Sequence, residues 1–180
     1  FEREAERLRT VFGAELSALH HIGSTAVPGL PAKPVIDILP VVREIGRVDL
    51  FNPGMEALGY IARGEAGIPG RRFFSRQLGE ERTHHVHVFE QGAPEIARHL
   101  AFRDFLCTHP ASAHRYGQLK IGLAARYSSD IQGYMDGKNA FIQQTERLAL
   151  AWSERKDYEF KPLTPDTWMD FERLFGGLKI

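Results

Sequence analysis

A chain of 180 residues is long enough for one domain with a sizeable core, or one domain and a tail. Its 23 basic and 23 acidic side chains balance, which excludes bulk attraction to nucleic acid or anionic membrane and leaves room only for a local basic pocket. The lone Cys107 excludes an internal disulfide and a cysteine-built zinc site, and with no membrane-length apolar run or secretory signal a soluble cytoplasmic protein is expected.

The chain opens on Phe1 rather than Met, as expected of a piece trimmed from a longer protein. Ala5, Leu8, Val11 and Phe12 recur at helical spacing between charges, so residues 1–19 read as an amphipathic helix. Residues 19–22 read as a strand that ends at Gly23-Ser24-Thr25, where glycine allows a tight turn and leaves backbone N–H groups free to meet an anion. The following loop is rich in Pro and Gly and carries Lys33. Residues 35–42 are nearly all apolar, as in a strand covered on both faces, and Asp37 is the one acid among them. A carboxylate there is costly unless it is protonated, paired or coordinating a cation. Contact with a metal such as Mg²⁺ or with substrate is one reading, and capping of a backbone group at the strand end is the other.

Residues 49–58 read as a short helix despite Asn52-Pro53-Gly54, stopped by Gly59. Residues 60–63 read as a strand and 64–70 as a loop; 72–78 and 83–89 follow as a hairpin around Gly79-Glu80-Glu81-Arg82. Alternation in its second strand sets His84, Val86 and Val88 on one face and His85, His87 and Phe89 on the other. His85 and His87 can then hold one phosphate, or one Zn²⁺ or similar ion given a third ligand; ordinary histidines on a polar face are the alternative.

Pro94 opens a helix to about residue 107, with Ile96, Leu100, Phe105 and Leu106 as core contacts and His99 and Arg103 on a shared face. Arg103 can fork onto a phosphate or pair with Asp104 or Glu95. Pro110 opens a helix to about 127 with Tyr116 and Lys120 on one side. After Ser128-Ser129-Asp130 a segment from Tyr134 leads to a helix over 138–152, starting at Lys138, whose inner stripe is Phe141, Ile142, Thr145, Leu148, Ala149 and Trp152. Lysines on helices are commonly just solvated. The composition changes at Ser153, dividing the chain into 1–152 and a tail, 153–180, in which Thr164 or Asp166 can cap a helix to Leu174 ended by Gly176-Gly177.

Several separated motifs resemble one family. HIGSTAVPGLPAKPVIDI, with twelve residues between Gly23-Ser24 and Asp37, is similar to the nucleotidyltransferase superfamily signature, and its full wording resembles the GrpB branch. RTHHVHVF resembles that branch's histidine strand, HLAFRDFLCTHP its Arg-Asp helix, and Tyr116, Lys120 and Lys138 match its Tyr-x-x-Leu-Lys and Gly-Lys motifs. The resemblance implies an α/β (α+β) nucleotidyltransferase-like fold, a small mixed sheet with flanking helices and a helical C-terminal half. It implies a cleft in which Asp37, His85 and His87 are catalytic, Asp37 and His87 hold Mg²⁺ or Mn²⁺, and Gly23, Ser24, Thr25, Lys33, Arg103, Asp104, Tyr116, Lys120 and Lys138 bind a nucleotide or other phosphorylated small molecule. Transfer of a nucleotidyl group to a small acceptor is the implied activity. Val35 and Leu39 stand where the superfamily has a second acid, so a non-catalytic nucleotide or coenzyme A precursor module and a metal-dependent phosphoesterase are the alternatives; Glu65 and Asp104 are candidates for the missing carboxylate. Phe105 and Cys107 replace the branch's frequent Tyr and Arg. The branch is also found fused to dephospho-CoA kinases, which implies fusion to or association with a second enzyme domain. Residues 153–180 resemble the opening of a GNAT-type acetyltransferase and are expected to be a packed tail or the remnant of a fused domain.

Overall fold

Apolar spacing near the start and alternation in the middle build a sheet sandwiched by helices, seen here in a computed structural model that describes residues 1–156 and Thr164. The tail helix capped by Thr164 or Asp166 lies outside the described residues. Five strands, β1 (Leu16–Ile22), β2 (Ile36–Val42), β3 (Tyr60–Ala62), β4 (Arg71–Leu78) and β5 (Glu81–Glu90), lie in the order β1-β2-β5-β4-β3. Only β2 and β5 run parallel; the other pairs are antiparallel, so the sheet is mixed.

The first helix, α1 (Glu2–Phe12), is shorter than the 1–19 expected. Gly13 at φ +51° ends it, a short 3₁₀ turn follows, and β1 begins at Leu16, three residues earlier than expected. Ala5, Leu8 and Phe12 are buried as their spacing predicts. With α2 (Asn52–Ala57) they cover one sheet face, where Ile38, Val42, Phe74, Val86 and Val88 complete the main core. The expected 49–58 helix is split, because residues Ile45–Phe51 form a 3₁₀ helix and Pro53 sits in the first turn of α2. Gly59 stops it at φ +84°.

Three helices form the C-terminal half: α3 (Pro94–Thr108), α4 (Pro110–Arg126) and α5 (Ile131–Lys156). Ile96 and Leu100 of α3 pack on Ile22, Leu39, Val41 and Phe89 of the second sheet face, and Phe105, Leu106, Tyr116 and Ala149 make the helices' own core. The last helix starts seven residues before the expected 138, since Asp130 accepts the Gly133 amide and opens the first turn. Its inner stripe holds at Thr145 and Ala149 but not at Leu148, which is 52% exposed because α3 and α4 cover the other side of the helix. No helix among the described residues is long and apolar enough to cross a membrane.

Candidate phosphate and metal site

Register brings the acid to the histidines. Asp37 is paired with His85 across the parallel β2–β5 ladder, and His87 follows two residues on, so all three side chains share the face toward the C-terminal helices. His85 Nδ1 lies 3.1 Å from Asp37 Oδ1 and His87 Nε2 lies 3.5 Å from the same oxygen. Burial alone would raise the Asp37 carboxyl, but hydrogen bonds from His85 and, at longer range, His87 hold it down at about 2. The group is an anion at neutral pH.

Gly23 makes room for it. A Cβ at Gly23 would overlap the Asp37 carboxylate, and the residue also sits at φ +72°. The strand-end turn thus lies directly against the acid. Thr25 donates to the Val35 carbonyl at 3.2 Å and lies 3.1 Å from His21 Nε2, which ties the two ends of the Pro-rich loop together.

The helical half closes the cleft with cations. Lys120 of α4 is 7% exposed, and its Nζ donates to Ser24 Oγ at 2.8 Å while lying 4.8 Å over the Tyr116 ring. Burial, with Lys138 nearby, brings Lys120 down to about 8. Burial also lowers Lys138, which feels both Asp37 and Lys33. Among the described residues none of these lysines forms an ion pair within 4.0 Å. A buried ammonium held by a hydroxyl rather than a carboxylate keeps its charge without a neutralising partner among the described residues.

Arg103 is differently engaged. Its guanidinium bonds Asp104 and the His21 carbonyl, at 2.8 and 2.9 Å, so it joins α3 to β1 and follows the ion-pair alternative. Neither Glu65 nor Asp104 joins the group that could hold a metal ion, which among the described residues is Asp37, His85 and His87. Tetrahedral bonds of about 2.1 Å would separate neighbouring ligand atoms by about 3.4 Å, and the observed 3.1 and 3.5 Å fit. His87 Nε2 makes only its long 3.5 Å contact with Asp37, and the buried His85 Nε2 has no hydrogen-bond partner among the described residues. A carboxylate and two imidazoles suit a transition ion such as Mn²⁺ or Zn²⁺ better than Mg²⁺.

Arg71, His21 and His99 also stand at this site, beyond the residues the sequence implied for it. Arg71 Nη1 stands 3.3 Å from His87 Nδ1, and the His99 ring lies 5.9 Å from His87 with burial holding it at about 3. Alternation back from Phe73, which pairs with His87, would have put Arg71 on the same face.

The GrpB protein family matches residues 1–147. The chain belongs to the GrpB family. Among this GrpB chain's relatives is the UPF0157 protein YqkA of Bacillus subtilis, 48% identical over 157 residues, or 87% of the chain and 46% of that protein. The chain therefore spans about half the length of that relative. A dephospho-CoA kinase of Mycolicibacterium paratuberculosis is 28% identical over 85% of the chain and 44% of its own length. The crystal structure of conserved protein GrpB from Enterococcus faecalis superposes with a TM-score of 0.82 at 44% identity, covering 85% of this chain and 92% of that one.

Proposed function

We propose that this GrpB chain binds a nucleotide, or a similar phosphorylated small molecule, with its phosphates on Ser24, Lys120, Lys138 and Lys33. A divalent cation, Mn²⁺ rather than Mg²⁺, is held by Asp37, His85 and His87. The observation that carries this is buried Lys120, which has a serine hydroxyl and, among the described residues, no carboxylate for company, with the half-buried Lys138 nearby. That arrangement is costly without an anionic ligand.

The reaction the site suits is transfer of a nucleotidyl group to a small acceptor. When bound, the cation neutralises charge on the phosphate oxygens. The chain's own residues position: Gly23 lets the turn approach the phosphates closely, Ser24 and the lysines fix their orientation, and the α4 wall excludes water. Leu39, fully buried where a second acid belongs, favours a second reading in which the ligand is held and not turned over. The dephospho-CoA kinase among the relatives makes dephospho-CoA one ligand to include, and supports association with a second enzyme domain.

The test is a thermal-shift screen of nucleotides and dephospho-CoA, with and without MnCl₂, on wild type and Asp37→Ala, followed by product analysis. Pyrophosphate release marks transfer, inorganic phosphate or nucleoside marks a phosphoesterase, and intact ligand marks a binding module. No metal-dependent shift with any ligand, or an unchanged one in Asp37→Ala, overturns the proposal.

A further inference from the structure

Arg71 is 7% exposed and each arm of its guanidinium is used. Nε donates to the Glu65 carbonyl at 3.1 Å, Nη2 to the Ala66 carbonyl at 2.8 Å, and Nη1 points at His87 Nδ1 from 3.3 Å. The first two contacts pin the loop 64–70 over this end of the cleft, with Ala66 in the left-handed region at φ +46°. The third decides what His87 can do.

An arginine offers donors only. His87 Nδ1 must therefore accept, and the neutral ring carries its proton on Nε2, toward Asp37 Oδ1. The opposite arrangement holds at His85, where Nδ1 faces an acid that only accepts and so carries the proton itself. For His87 to ligate a cation beside Asp37, Nε2 must present a lone pair, which moves the proton to Nδ1. Two donors then face each other across the Arg71 contact. The guanidinium charge also repels an entering cation.

We propose that Arg71 is a positioning residue of this cation site: it holds His87 as a hydrogen-bond donor toward Asp37, and a divalent ion gains His87 as a ligand only when Arg71 lets go and the loop 64–70 shifts. The inference rests on the cation site proposed above. Arg71 is thereby the resident cation of the resting cleft, and the loop is coupled to the metal through one side chain. The amides of Ile68, Gly70 and Arg71, which bond Glu65 O, Glu65 Oε1 and Ile68 O, report on the loop.

Long-range ¹H–¹⁵N spectra of the metal-free wild type read the imidazole protons directly, and calorimetry with ZnCl₂ on wild type and Arg71→Met reads the gate. The expected result is His87 protonated on Nε2 and His85 on Nδ1, with Zn²⁺ bound about 10- to 100-fold more tightly by Arg71→Met, the scale of a metal ligand's hydrogen-bonding partner. Zn²⁺ added to wild type should also speed hydrogen exchange at the amides of Ile68, Gly70 and Arg71. A proton on His87 Nδ1 in the metal-free wild type overturns the inference, as does unaltered loop exchange on Zn²⁺ binding, and both readouts stand if Arg71→Met does not fold. Equal Zn²⁺ affinity in wild type and a folded Arg71→Met overturns the inference alone, whereas no Zn²⁺ binding to either overturns the cation site along with it.

Discussion

A single hydrogen atom at Gly23 is what lets the turn rest on Asp37. Gly23→Ala adds a methyl that overlaps the carboxylate at a backbone angle L-residues avoid, so it should cost about 1–3 kcal/mol in urea unfolding and weaken Mn²⁺ binding together. Lys120 gives a second prediction at this scale. Its ammonium, brought down to about 8 by burial, is the form that attracts an anion, so ATP affinity should hold below pH 8 and fall by up to about tenfold per unit above it. Lys120→Met should flatten that profile. The placement of Asp37, the histidine pair and the turn was legible in the sequence through period-two alternation and an acid in an apolar run, while their grouping into one site was implied by the family resemblance. Arg71 was not legible, since loop 64–70 carries no periodicity and the register that sets residue 71 near His87 is a tertiary fact.

Helix and strand positions were legible where a turn residue marks them, as at Gly59 and Pro94. The end of α1 departs from the expected 1–19 helix because Gly13, at positive φ, stops the helix before the apolar residues beyond it. Leu148 departs for a different reason. Which side of α5 is inner depends on α3 and α4, which the helix's own spacing does not contain. Leu148→Ala should therefore shift stability by no more than about 0.5 kcal/mol, whereas Ala149→Leu, at a fully buried position, should cost about 1–3 kcal/mol by overpacking. Chemical denaturation of the two variants separates the faces. Arg103 shows the same limit at a site residue, because spacing left phosphate and Asp104 equally open and the fold supplied both Asp104 and the His21 carbonyl.

The two halves of the molecule meet where Lys120 bonds Ser24 and Arg103 bonds the His21 carbonyl, contacts that hold sheet and helices into one body, while Arg98 with Glu146 ties α3 to α5. Acid should open it. His84 and His99 stay neutral in the fold down to about 4 and about 3, while in the unfolded chain they charge below about 6.5. The unfolded state binds more protons over that window, so stability should fall as pH drops from about 6.5, and fall further from about 4 to about 2 as Asp37 is protonated first in the unfolded chain. Urea midpoints over a pH series check this, and His99→Leu should reduce the slope. In the proposed function, phosphate on Lys120 and Ser24 and a cation on Asp37 and the histidines meet in one ligand. Calorimetric titration of ATP with MnCl₂ into wild type, Lys120→Met and Asp37→Ala tests it most directly. The expected result is Mn²⁺-dependent binding in wild type, about tenfold or greater weakening in Lys120→Met, and loss of the Mn²⁺ dependence in Asp37→Ala. Equal binding by all three proteins, or none by wild type, would contradict it.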